Sequence, residues 1–360
     1  MAAIDLRAFA RLCLEAARGR DVRDLLAPHL AAGVPIGGIV ELARSHRVVP
    51  LLAAPLCALG VTDPRNVRPP AYYASYHLHL RQQLLQLEQA LRADGCRIVL
   101  LKGSIQLFRP LYPRSGMRQM ADLDVLLDDA APLRILAELG YRPTDEGQAM
   151  PTSLDVAPGQ HDLGPFWRER DAARIEPHVL PASSQHAYLV GNIAEHATPA
   201  PGAEALYLPD PADQLILAMV HALCSDRASM HGGLFLRGIV ECEMLYDALT
   251  DTQRQQAQDR LSARGGAHLW HQWRALADWC LHEDDAARRR SFGAARLIAE
   301  LELRHRGHAG VLLASSANLA ASFLRRDFWR SGRATAYRHR LTDRRFWARF
   351  AAKISAALRP

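Results

Sequence analysis

Between Ile98 and Leu127 the chain carries two short apolar runs, each joined to a polar cluster that a plain hydrophobic core would reject. The first run, Arg97 to Leu101, ends in Lys102-Gly103-Ser104. The second, Val125 to Leu127, follows Asp122-Leu123-Asp124. Successive side chains on a strand point to opposite faces, so Asp122 and Asp124 project from the same side. Two carboxylates held together repel each other, a cost relieved when a cation sits between them. Hard oxygen donors favour Mg²⁺ or Mn²⁺, and Mg²⁺ is commonly held by one or two carboxylates plus substrate phosphates. If Ser104 opens a helix, the free backbone N–H groups there, with the helix dipole, attract a phosphate.

Lysine usage sharpens this pattern. Of 44 basic residues only Lys102 and Lys353 are lysines, and Lys102 falls inside the central stretch. A compact ammonium on a flexible stem differs as a tool from a planar guanidinium fork. Lys102 therefore reads as a point charge for a carboxylate or a phosphate.

The flanks read as helices. Apolar spacing predicts helices near 4–17, 21–32, 36–46, 49–58 and 71–94, the last ended by Gly95, which makes residues 1–95 an N-terminal helical region. His46, His77 and His79 within it read as surface or hydrogen-bonded histidines. Residues 96–182 change period: a strand at 97–101, a short helix from Ser104 to Leu111, a strand at 122–127, a helix at 131–139 and an extended piece from Tyr141. Interleaved helices and strands imply a small mixed sheet. Asp210-Pro211 opens a second helical region, 205–324, with helices expected at 234–249, 253–263, 267–281, 286–303 and 311–324. Glu241 and Glu243 face either a cleft or water. The fold class is α+β, a mixed-sheet core between helical flanks.

Lys102-Gly103-Ser104 followed by Arg118-x-x-x-Asp122-x-Asp124 resembles the uncharacterised bacterial nucleotidyltransferase family of the DNA polymerase β-like superfamily. That resemblance implies a Gly-Ser turn seating the phosphates of a nucleoside triphosphate such as ATP. Lys102 and Arg118 would neutralise charge there, and Asp122 and Asp124 would hold one or two Mg²⁺ ions. It also implies a third carboxylate on a later strand, for catalysis and metal binding alike. Glu176 stands at that place, in Arg174-Ile175-Glu176-Pro177-His178. Pro177 departs from the pattern, because proline removes a ladder donor and belongs on an edge strand or at a bulge; Asp162 and Asp155 are the alternatives. A histidine of the family matches His221, which also reads as a packed helix histidine. The implied activity is transfer of a nucleoside monophosphate to an unidentified acceptor hydroxyl with release of pyrophosphate.

The rest of the chain limits the setting. No apolar run reaches the length of a membrane span, and the N-terminus reads as an amphipathic helix and not as a secretory signal. Six dispersed cysteines suit reduced thiols, and the expected location is the cytoplasm. Residues 325–360 hold eleven Lys or Arg against two Asp, while the other 324 residues hold 33 basic against 36 acidic. This tail, with its interleaved aromatics, reads as docking on the domain, with nucleic-acid or membrane-surface binding as the alternatives. Two other functions therefore stand beside transfer: an inactive nucleotide-binding or regulatory protein of this fold, and a nucleic-acid-associated protein anchored by its tail.

Overall fold

The computed structural model describes residues 4–306, apart from 64, 66, 145–148, 157–159 and 226–232, together with residues 310 and 313. Apart from residue 313, the expected helix at 311–324 and the basic tail at 325–360 lie outside the described residues.

Five helices lead the chain: α1 (Leu6–Ala17), α2 (Arg23–Ala31), α3 (Ile36–Ser45), α4 (Val49–Ala58) and α5 (Pro70–Ala93). Asp5 starts α1 by accepting hydrogen bonds from the backbone N–H groups of Arg7 and Ala8. Proline at the first turn opens both α4 and α5, where a missing N–H costs nothing. Helix α5 turns Leu80, Leu84, Leu87 and Leu91 into the core.

A seven-stranded mixed sheet follows, in the order β3-β4-β5-β2-β1-β7-β6. Its strands are β1 (Ile98–Leu100), β2 (Asp122–Leu126), β3 (Arg142–Pro143), β4 (Phe166–Trp167), β5 (Arg174–His178), β6 (Thr198–Ala200) and β7 (Ala203–Leu208). Strand β2 runs antiparallel to β1 and parallel to β5, and β1 runs parallel to β7. The mixed α+β architecture matches the expectation. The apolar pattern alone confines the sheet to 96–182, whereas β6 and β7 carry it to Leu208. Strand β7 joins the sheet because Ala203, Ala205, Leu206 and Leu208 bury in the core where it pairs with β1.

Short helices α6 (Lys102–Ile105), α7 (Ala131–Glu138) and α8 (Ala187–Val190) connect the strands. Where a helix to Leu111 was expected, α6 tightens after one turn. The N–H groups of Gln106, Leu107 and Phe108 reach back three residues, to Gly103, Ser104 and Ile105. The C-terminal helices are α9 (Pro211–Val220), α10 (Leu236–Ala248), α11 (Asp251–Ala263), α12 (Ala267–Leu281) and α13 (Phe292–His305). Asp210 caps α9, and Thr250 with Gln253 forms a capping box on α11. The single helix expected at 286–303 is divided: a 3₁₀ turn at Asp285–Arg289 precedes α13, and Ser291 restarts the helix by capping the Ala294 N–H. Among the described residues no helix is long and apolar enough to cross a membrane.

One histidine differs from its sequence reading. His46 is fully buried, neither ring nitrogen has a hydrogen-bond partner among the described residues, and the ring stacks on His305. Burial, together with His305 and Arg304, holds its pKa well below the usual histidine value.

Candidate functional site

The parallel β2–β5 ladder sets the site. Asp122, Asp124 and Leu126 stand opposite Arg174, Glu176 and His178, so one face of two adjacent strands carries three carboxylates and an imidazole. Pro177 fits in this strand although β5 is not at the sheet edge. Its carbonyl accepts from the Leu163 N–H, on the side away from β2. A residue's N–H and C=O share a side in a ladder, so the missing donor faces an irregular segment that meets β5 at the Asp162–His178 bridge and not as a paired strand, among the described residues.

Asp124 is 3 % exposed and is held by two donors on one oxygen. Lys102 Nζ lies 2.5 Å from its Oδ1, and His178 Nε2–H donates to the same atom over 2.9 Å. Burial pushes the Asp124 carboxyl up, but Lys102 and His178 overcome it and hold the group well below the usual carboxylate range. Its two neighbours move the other way. Asp122 is raised by burial and by Asp124. Glu176 is pushed up to about 7 by burial and by both aspartates.

These observations suit a divalent cation. Ligand atoms of Asp124, Glu176 and His178 lie within 4.8 Å of one another. Two of the three carboxyls are driven towards protonation, the strain a cation removes. Asp122 shares their face, two positions before Asp124 on β2. In the arrangement observed, the Nε2 proton of His178 is committed to Asp124. His178 therefore acts as a brace for that carboxylate, with its Nδ1 buried and without a partner among the described residues. The alternative acids are placed elsewhere. Asp155 is exposed and bonded to Ser153, and Asp162 accepts from the Gly164 N–H while its backbone bridges His178.

The turn after β1 faces the same region. Lys102 has a φ of +48°, a left-handed conformation that is uncommon for a residue with a side chain. A Cβ on Gly103 would collide with the Arg118 guanidinium, so only glycine lets Arg118 lie across the turn. Ser104 is fully buried and its Oγ has no partner among the described residues, an unsatisfied hydroxyl at the position where the resemblance expects a phosphate. Arg118 Nε donates to both oxygens of Glu241 on α10, at 3.2 and 3.1 Å, with each side chain 9 % exposed. Gln106 Nε2 adds a third bond to Glu241 at 2.9 Å. Glu241 thus faces the interior, and Glu243, also buried, pairs with Arg274 and His282.

His77 on α5 fixes the segment bearing Arg118. Its Nε2–H donates to the Arg118 carbonyl over 2.9 Å, and its Nδ1 accepts from the Gly116 N–H over 3.2 Å. Gly116 has a φ of +87°, and a side chain there would strike the backbone of Tyr73 and Ala74.

Beyond Lys102 lies a narrow cavity with about 60 Å³ open to water, lined by Lys102, Arg118, Arg237, Glu241, Gln214 and His221 among others. His221 begins a π-helical turn, His221–Ser225, and its Nε2–H donates to the Pro181 carbonyl over 3.1 Å. Such turns widen a helix and recur at functional sites. Arg237 and Gln214 carry no motif in the sequence, being two positions on ordinary amphipathic helices.

A mixed sheet presenting clustered carboxylates beside a Lys-Gly-Ser turn defines a nucleotidyltransferase type of domain. The chain belongs to a family described as uncharacterised nucleotidyltransferase, whose sequence model matches residues 33–282. No match was found among curated proteins or solved structures. The protein is accordingly an enzyme of nucleotidyl transfer.

Proposed function

We propose that the enzyme transfers a nucleoside monophosphate from a nucleoside triphosphate to an acceptor hydroxyl and releases pyrophosphate. The observation that carries this reading is the register Asp124–Glu176 beside Asp122, three carboxyls on one face within reach of Lys102. Asp122, Asp124 and Glu176 are the proposed holders of Mg²⁺ or Mn²⁺. When bound there, the ion would supply Lewis-acid charge to the phosphates.

The protein's own groups do the remaining work. Gly103 and Ser104 seat the phosphate chain, with the unpartnered Ser104 hydroxyl as a donor. Lys102, Arg118 and Arg237 bring positive charge to the cavity beside the carboxylates, where charge builds up as the leaving pyrophosphate departs. Glu176, in its ionised form, is the carboxylate placed opposite Asp124 to take the proton of the acceptor hydroxyl. His178 and Lys102 keep Asp124 ionised and oriented. Positioning and charge stabilisation account for the catalysis.

The test is incubation with α-labelled nucleoside triphosphates and Mg²⁺ in the presence of pooled small-molecule, protein and nucleic-acid acceptors. Label should appear in a new product with release of pyrophosphate, and Asp124→Asn should lose the transfer. Nucleotide binding without pyrophosphate release from any triphosphate would contradict this function.

A further inference from the structure

We infer that Lys102 is the resident counter-ion of Asp124 in the free protein and leaves it for the phosphates of an arriving nucleotide. A divalent cation then binds firmly only together with that nucleotide. This inference rests on the nucleotidyl-transfer reading above.

The argument begins with one oxygen. Asp124 Oδ1 accepts from both the Lys102 ammonium at 2.5 Å and the His178 imidazole at 2.9 Å. A carboxylate oxygen offers two lone-pair directions, and both are filled. His178 is the fixed donor: it sits on a strand, 1 % exposed, on the neighbouring rung of the ladder. Lys102 is the mobile donor, with a flexible four-carbon stem and a compact charge.

Geometry gives the ammonium a second place to go. Lys102 bonds Asp124 and also lines the cavity that Arg118 and Arg237 line. Arg118 is already committed to Glu241 through its Nε. A phosphate chain entering that cavity would meet Lys102 as a cation on a flexible stem, able to turn towards it. While the ammonium stays on Asp124, a divalent ion a few ångströms away is repelled by it. Once phosphate draws it off, the same three carboxyls are short of positive charge and bind the ion strongly. The exchange suits lysine in a chain where 42 of 44 basic residues are arginine. A guanidinium fork on Asp124 would be planar, wide and slow to give way.

Because only two lysines exist, ¹³Cε-lysine labelling of the full chain gives two side-chain NMR signals, and Lys102→Met identifies one of them. The Lys102 signal should hold its position in Mg²⁺ alone and shift when a non-hydrolysable ATP analogue is added with Mg²⁺. Mn²⁺ titration followed by EPR should show weak binding to the wild-type protein, strengthened about tenfold or more by the analogue. Lys102→Met should bind Mn²⁺ without nucleotide about tenfold more tightly than wild type and gain much less from the analogue. Lys102→Gln serves as a second variant, each checked for native thermal unfolding.

The inference is overturned if the Lys102 signal moves fully with Mg²⁺ alone, or if both folded variants bind Mn²⁺ no more tightly than wild type. Analogue binding with no shift of the lysine signal sinks the exchange and leaves nucleotidyl transfer standing. Failure of the wild-type protein to bind any triphosphate analogue sinks both.

Discussion

Asp124 and Glu176 are register partners across the parallel β2–β5 ladder, yet their carboxyls are driven in opposite directions. Burial raises both. Lys102 and His178 reverse the effect at Asp124, while Asp124 and Asp122 reinforce it at Glu176. One carboxylate is thereby kept charged and its neighbour is kept close to neutrality, an unequal pair of the kind that general acid–base chemistry uses.

That inequality predicts a pH dependence of stability. The Glu176 carboxyl moves from its ordinary 4.5 up to about 7 on folding, so the folded protein binds more protons than the unfolded chain in that window. Its contribution is present below pH 4.5 and is lost as pH rises through 7. In the presence of EDTA, Tm should therefore fall for this reason as pH rises from 5 to 7.5, and Glu176→Gln should flatten that slope. Added Mn²⁺ and a triphosphate analogue should restore stability at the upper end. Scanning calorimetry across pH on the two proteins is the check.

Asp124→Asn should lower turnover by about a hundredfold or more, since it removes the ionised centre of the carboxylate cluster. It also leaves the Lys102 ammonium without its partner, so destabilisation of roughly 3 kcal/mol is expected from a broken, partly buried ion pair. Urea unfolding and label transfer, measured on one preparation, separate the two effects. Unchanged transfer would remove Asp124 from the mechanism.

Arg118 and Glu241 join the turn after β1 to helix α10 through a buried, two-oxygen contact. Arg118→Met should cost about 3–5 kcal/mol by leaving Glu241 charged and unpaired in the interior. Arg118→Met combined with Glu241→Met should recover most of that loss. Nucleotide affinity should stay reduced in the double variant, because the cation is still missing from the cavity. Chemical denaturation and calorimetric titration with the analogue measure these separately.

Gly103→Ala tests the cradle. The added methyl must push the Arg118 guanidinium aside, so triphosphate affinity should fall about tenfold, while the bare protein keeps its secondary structure. Circular dichroism with analogue titration is the measurement, and unchanged affinity would show that the turn does not seat phosphate.

Asp122-x-Asp124 was legible in the sequence because it needs only the two-residue period of a strand, whereas Glu176 entered through the family resemblance, with Asp162 and Asp155 as alternatives. Lys102-Gly103-Ser104 was legible for a similar reason, as a local turn at the end of an apolar run. What local period could not supply was the partner of each group. Arg118 and Glu241 are 123 residues apart, and an amphipathic helix shows the same pattern whichever wall it covers. The same limit hid Gln214 and Arg237. Pro177 misdirected the reading, since the ban on proline within a sheet holds only where the missing N–H faces a partner strand. Strand β7 was obscured by its Pro-Gly-rich approach, and its role emerged only through burial against β1.

The central claim is that the β2–β5 face grips a divalent cation against a nucleotide seated by the Gly103-Ser104 turn. Crystals grown with Mn²⁺ and a non-hydrolysable ATP analogue, measured at the manganese edge, test it most directly. The account predicts an anomalous peak about 2.1–2.3 Å from carboxylate oxygens of Asp122, Asp124 and Glu176. It also predicts phosphate oxygens on the same ion and the Lys102 ammonium turned towards them. A bound analogue with no peak at those carboxylates, or with its phosphates remote from the Gly103-Ser104 turn, would contradict it.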